Sequence, residues 1–237
     1  MKILVVFGTR PEAIKLFPVI YALRKDAGFE VKVCVTAQHR QILDQVLEVV
    51  GIRPDYDLDL MKPNQDLTEI TARIIGGVGR VIDECKPDRV MVHGDTTTAM
   101  AAALSAFYRK IPVDHVEAGL RSGDIYSPWP EELNRKVVSS IASLHFAPTQ
   151  RAAEALAREN LPRDRIFVTG NTVIDAVLDI KQRIEKHGWV HDAIDGSLYD
   201  VGADRRAILV TSHRRENFDG GIQRILAALT RLAARED

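Results

Sequence analysis

The run Ile3-Leu4-Val5-Val6-Phe7 constrains this chain more than any other feature, because it is apolar at every position. A strand with one face in water alternates apolar and polar residues, whereas a strand covered on both faces does not. Helices must then lie above and below it, which makes the fold α/β with a parallel sheet. Further β-rich runs follow near 30–36, 89–93, 112–116, 143–147, 165–169 and 207–211, the last again continuously apolar at Ile208-Leu209-Val210. Helical patterns fill most intervals. Leu67, Ile70, Ile74, Ile75 and Val78 recur at a 3.6-residue period, and Ala99 to Phe107 reads as a buried, small-residue-rich segment. The pattern leaves the order of the strands open.

A length of 237 residues suits one complete domain and part of another. We place an N-terminal domain at 1–170, a connecting helix and linker at 171–205, and the start of a second domain at 206–237. From Lys186 to Arg206 the steady period is lost and Gly188, Asp192, Asp195, Gly196, Asp200, Gly202 and Asp204 cluster, as in an interdomain connection. Beyond it come one strand, a polar turn from His213 to Asn217 and one helix from Gly221 to Ala234. One strand and one helix cannot bury a core alone, so the second domain reads as incomplete.

Lys plus Arg number 32 and Asp plus Glu 33, and this balance argues against broad electrostatic binding to nucleic acid or an anionic membrane. The two cysteines, Cys34 and Cys85, are too few for a disulfide framework or a CxxC zinc site. The N-terminal apolar run stops at Gly8 without a cleavage signal, and no segment is long enough to span a bilayer. A cytoplasmic location is expected.

In open parallel sheets ligands sit beyond the carboxyl ends of the strands. There this sequence is unusually polar: Gly8-Thr9-Arg10-Pro11-Glu12 and Lys15, then Gln38-His39-Arg40, His93-Gly94-Asp95-Thr96, Glu117-Ala118-Gly119-Leu120-Arg121 and Ser212-His213-Arg214-Arg215. Simple structural roles are available for several. Asp95 suits a helix N-cap, Glu131 and Arg135 stand at i,i+4 spacing for a surface ion pair, and His93 reads as a satisfied structural histidine. Glu117 precedes a glycine at a strand end, where capping gives no reason for an acid. His213, beside two arginines, leans toward its neutral form. The chain has no GxxxxGK[ST] and no GxGxxG, which excludes a P-loop and argues against tightly held NAD. Carboxylates without metal-ligand spacing point to acid/base work, with no metal and no cofactor.

Taken in order, Phe7-Gly8-Thr9-Arg10-Pro11-Glu12-Ala13-Ile14-Lys15, Thr36-Ala37-Gln38-His39-Arg40, Val92-His93-Gly94-Asp95-Thr96-Thr97, His115-Val116-Glu117-Ala118-Gly119-Leu120-Arg121, Pro128-Trp129-Pro130-Glu131-Glu132 with Asn134-Arg135, and Thr169-Gly170-Asn171-Thr172-Val173 with Asp175 resemble the bacterial non-hydrolysing UDP-N-acetylglucosamine 2-epimerases. The resemblance runs from residue 1 to about 218. It implies a fold similar to the two-domain glycosyltransferase-B enzymes, with the active site between two Rossmann-like halves, 1–170 being the first and 206–237 the start of the second, nucleotide-binding one.

It also implies interconversion of UDP-GlcNAc and UDP-ManNAc for surface polysaccharides, by loss of UDP to 2-acetamidoglucal and its return. By the same resemblance Asp95, Glu117, Glu131 and His213 are the catalytic candidates, and Arg10, Lys15 and Arg135 the substrate-binding ones. Gln38, Arg40, Gln41 and Gln65 fall where some members hold a second, regulatory UDP-GlcNAc. UDP-GlcNAc, UDP-ManNAc and UDP are the expected partners, and a homodimer the expected assembly. The family continues well past residue 237, so the chain is expected to be truncated, with little or no turnover of its own. A hydrolysing epimerase, a glycosyltransferase of the same fold and a silent binding subunit are the alternatives.

Overall fold

The N-terminal apolar run is strand β1 (Lys2–Phe7), an interior member of a seven-stranded, wholly parallel sheet. The others are β2 (Glu30–Val35), β3 (Tyr56–Asp57), β4 (Arg89–His93), β5 (Val113–Val116), β6 (Leu144–Ala147) and β7 (Ile166–Val168), in the order β3-β2-β1-β4-β5-β6-β7. The computed structural model describes residues 1–36, 40–60, 65–187, 208, 210 and 221–234. The strand expected near 207–211 and the linker and turn around it fall almost wholly outside these.

The helices are α1 (Arg10–Lys25), α2 (Arg40–Val49), α3 (Leu67–Cys85), α4 (Thr97–Tyr108), α5 (Glu131–Ile141), α6 (Gln150–Arg158), α7 (Thr172–His187) and α8 (Gly221–Ala233). Side chains on β1 alternate between two cores. Leu4 and Val6 join α3 and α4 on one face, while Ile3, Val5 and Phe7 join α1 and α2 on the other. The absence of polar residues from Ile3 to Phe7 is thus the direct result of burial on both faces, each large side chain contributing roughly 1.5–3 kcal/mol. A smaller alanine-rich cluster, Ala118, Ala147, Ala152, Ala153 and Leu156, seats α6. The chain divides into compact units Met1–Trp189 and Val190–Asp237. The first contains the whole sheet and α1 to α7; in the second, α8 is the described helix. Among the described residues no helix is long and apolar enough to cross a membrane.

The sequence reading omits β3, whose two residues are too short to carry any periodicity. It also takes Phe107 as buried, yet this ring is exposed at the end of α4. The strand order settles where a site belongs. It reverses between β1 and β4, and the crevice at such a reversal is open because the connections leave in opposite directions.

Gly119 shows how tightly the rim is built. Its φ is +89°, and a Cβ there would lie 2.3 Å from the Ala152 carbonyl oxygen. Gly123 has a similar φ, +88°, but nothing within 4 Å. Gly119→Ala is expected to cost on the order of 3 kcal/mol, backbone strain and overpacking together, and Gly123→Ala only about 1 kcal/mol. Urea denaturation of the two variants checks this; equal losses would contradict it.

Candidate active site

Five segments meet at the carboxyl ends of β1, β4 and β5: the turn into α1, the turn into α4, the end of β5, the first turn of α5 and the start of α7. Their anchor is Glu12, a fully buried acid. Its Oε2 accepts from the backbone N–H of Gly8 (3.0 Å) and Thr9 (2.8 Å), and its Oε1 from the Thr96 hydroxyl (2.8 Å). One carboxylate therefore ties the loop after β1 to the loop after β4, across the reversal in strand order. Burial pushes the Glu12 carboxyl above its usual range, and these hydrogen bonds partly offset it. Gly8 fits beside it for want of a side chain, since a Cβ would fall 2.3 Å from Thr36 Oγ1 and 2.5 Å from Thr98 Oγ1.

Glu117 follows β5 with a φ of +62°, a left-handed conformation uncommon for a residue of its type. Lys15 Nζ, from α1, donates to its Oε2 at 2.6 Å and its Oε1 at 2.8 Å. Asn171 Nδ2 donates to Oε2 at 2.8 Å. His93 Nε2 lies 3.8 Å from the same oxygen and has no hydrogen-bond partner. Burial, and secondarily the Lys15 charge, push His93 down to about 3, so the ring is neutral and the contact is not an ion pair. His93 is therefore buried but not satisfied, against the sequence expectation.

Asp95 belongs to a second cluster. Arg135 Nη2 donates to Asp95 Oδ2 at 2.5 Å, and Asn134 Nδ2 to the Asp95 carbonyl at 2.8 Å. Arg135 Nη1 also donates to Glu132 Oε2 at 2.9 Å. Glu132 is fully buried and accepts from the N–H of Ser122 (3.1 Å) as well. Burial would raise its pKa, but the bonds from Ser122, Arg135 and Gly123 outweigh it and hold the carboxyl below the usual range.

Two structural expectations are corrected here. The side chain capping α4 is Thr96, which accepts from Ala99 N, not Asp95. Arg135 is engaged by Asp95 and Glu132, not by Glu131 four residues before it. The i,i+4 spacing permits the expected pair, but an acid from another loop and a buried acid one residue along offer better-enclosed partners. Glu131 makes no ion pair among the described residues, and its Oε2 is buried with no donor. Such an oxygen costs on the order of 1–3 kcal/mol unless something supplies a hydrogen bond.

The three acids thus do not form a bare cluster. Asp95 and Glu117 each carry a cation, and both cations, Arg135 and Lys15, are themselves expected members of the site. Arg10 is exposed at the start of α1, without an ion pair among the described residues. Arg121 leaves the rim: its guanidinium is bound to Glu159 and Ser139. His213 and Gln38 lie outside the described residues. Arg40 and Gln41 open α2, described there by their backbone, and Gln65 is half-buried just before α3. Sequence reasoning passed over Glu12, Glu132 and Asn171, although the motifs contain all three; an acid or amide in the first turn of a helix, or just before it, gives a capping signal that hides any second task. Among the described residues no group of His, Cys, Asp and Glu could hold a metal ion.

Comparison with known proteins bears on what such a rim binds. A family model described as UDP-N-acetylglucosamine 2-epimerase matches residues 21–237. The chain is 55% identical to the UDP-N-acetylglucosamine 2-epimerase of Salmonella typhimurium over 99% of its own length and 62% of the relative's. It superimposes with a TM-score of 0.90 on the UDP-GlcNAc 2-epimerase of Neisseria meningitidis bound to UDP-GlcNAc, at 50% identity, covering 98% of this chain and 62% of that one. The enzyme of Methanocaldococcus jannaschii in complex with UDP-GlcNAc and UDP gives a TM-score of 0.74 at 40% identity, over 79% of this chain and 51% of that one. The chain spans about 62% of the length of the curated relatives it matches.

Proposed function

Because the chain belongs to the UDP-N-acetylglucosamine 2-epimerase family, we propose that its rim of acids and cations serves the interconversion of UDP-GlcNAc and UDP-ManNAc. The hydrogen on C2 of the sugar has no adjacent carbonyl, so removing it alone would leave an unstabilised carbanion. Loss of UDP solves this. A carboxylate takes the C2 proton, the C–H electron pair becomes the C1=C2 bond of 2-acetamidoglucal, and the electrons of the C1–O bond leave with the diphosphate. Return of UDP to C1 and of a proton to the opposite face of C2 completes the inversion.

Two faces require at least two proton-transfer groups, and Asp95, Glu117 and Glu131 are the candidates. Lys15, Arg135, Arg10 and His213 are the proposed partners of the diphosphate and of the acids. The observation that carries the reading is the unpartnered buried oxygen of Glu131 beside a rim where the other two acids hold their own cations. It leaves one carboxylate oxygen with an unmet hydrogen-bonding demand, which a sugar hydroxyl or amide would meet on displacing the atoms that cover it. A cytoplasmic homodimer belongs to the same reading, and sedimentation at the mass of two chains supports it while a monomer counts against it.

The experiment is turnover of UDP-GlcNAc in D2O, followed by proton NMR, with this chain alone and with this chain continued by the C-terminal portion of the N. meningitidis relative. UDP-ManNAc carrying deuterium at C2 is expected from the continued form. Free ManNAc would replace the proposal by a hydrolysing reaction, and no deuterium at C2 in either form would overturn it.

A further inference from the structure

We propose that Asn171 is a positioning residue for Glu117, and that the start of α7 sets the direction in which this acid points. The inference rests on the reading of Glu117 as a proton-transfer group given above. Asn171 stands immediately before α7, and its Oδ1 accepts from Val173 N at 3.0 Å, the geometry of an N-cap. A side-chain amide has one oxygen and one nitrogen. With the oxygen committed to the helix, the nitrogen has a fixed direction, and it donates to Glu117 Oε2 at 2.8 Å.

The cap and the contact to the acid are therefore a single rigid arrangement. Lys15 cannot do the same, since its ammonium sits on a flexible stem and is the group an incoming diphosphate would draw away. Once Lys15 turns to an anion, Asn171 is the donor that stays on Oε2. The donors recorded on the Glu117 carboxylate, Lys15 and Asn171, both come from distant parts of the sequence, 102 and 54 positions away. Among the described residues, the charged and titratable groups facing Glu117 are Lys15 from α1 and the neutral His93 from β4; Asn171 adds a dipole without a charge.

The test compares Asn171→Asp, Asn171→Ser and Asn171→Ala in this chain. Asp and Ser each keep an oxygen for Val173 N and so keep the cap, but neither supplies the amide donor; Ala loses both. The thermal midpoint is expected to fall in the Ala variant alone. Carboxyl-carbon NMR at pH 7, with Glu117→Gln to assign the signal, is expected to show the Glu117 resonance displaced in the Ser and Asp variants as well as in Ala, because none of the three supplies the amide donor to Oε2. A residue that only caps the helix would leave the resonance in place in the Ser variant, which keeps the cap without adding a charge. In whichever form turns over UDP-GlcNAc, kcat should fall on the order of 10²-fold, with KM within about twofold.

A Glu117 resonance unchanged in the Ser variant would overturn the proposal and leave Asn171 a helix cap. Absence of turnover in both unsubstituted forms would count against the epimerase reading instead, and the carboxyl resonance would still decide the positioning role.

Discussion

Lowering the pH from 7 to 5 is expected to remove on the order of 6 kcal/mol of folding stability, about 2 kcal/mol from each of three histidines. His93, His115 and His145 sit on neighbouring strands, with His115 and His145 paired in register. Burial dominates in all three and pushes His93 and His115 down to about 3 and His145 to about 4. Their unfolded counterparts take up a proton near pH 6.5, the folded ones far below it. Between these values the unfolded chain binds more protons, so stability falls as pH drops from 6.5 toward 4 and changes little above 7. Glu12 works the other way, because its raised folded value favours the folded form as acid is added, but it is one group against three. A domain holds only about 5–15 kcal/mol in total, so the loss is enough to approach unfolding. Urea midpoints at pH 7, 6 and 5 measure it. Equal midpoints at 7 and 5 would mean that these rings are not held neutral in the folded chain.

Glu117→Gln and Asp95→Asn are expected to slow UDP-GlcNAc turnover by about 10² to 10⁴-fold each, in whichever form of the chain shows it, while costing no more than about 3 kcal/mol of stability. Both substitutions keep side-chain size and a hydrogen-bond acceptor, so Lys15, Asn171 and Arg135 retain neighbours. What is lost is the capacity to accept a proton. The discriminating measurement is deuterium entry at C2 from D2O beside a urea midpoint. Near-native exchange in either variant would remove that acid from the chemistry, and a collapsed midpoint would show that it serves the fold. Glu131→Gln should behave differently in one respect: its buried Oε2 has no donor among the described residues, so the substitution breaks no ion pair or hydrogen bond there and should change stability less than the other two.

The continuous apolar run of β1 made the parallel sheet legible, because only burial on both faces tolerates it. Six of the seven strands show in the sequence as β-rich runs, though most are broken by a charged residue or a histidine, while β3, two residues long, takes its place from pairing with β2 alone. Strand order is a matter of crossover routes, which no local pattern encodes. At the site, Lys15 and Glu117 were legible as rim residues but not as partners, since 102 positions separate them. Arg135 shows the converse. Its spacing from Glu131 is a valid helical pair, and it is overridden by Asp95, which only the fold brings near. Glu12, Glu132 and Asn171 stayed hidden because each also satisfies a local hydrogen-bonding need, and local need is what a sequence displays most plainly.

The left-handed backbone at Glu117 has a consequence for how this position would drift if it were relieved of its task. A glycine would sit there without steric penalty, while glutamate carries on the order of 1 kcal/mol or more of strain. Glycine would release that strain, but it would also strip Lys15 Nζ and Asn171 Nδ2 of the carboxylate they share, a loss of comparable or larger size. The strained backbone is thus held in place by its donors, and heat resistance alone gives no reason to exchange the residue.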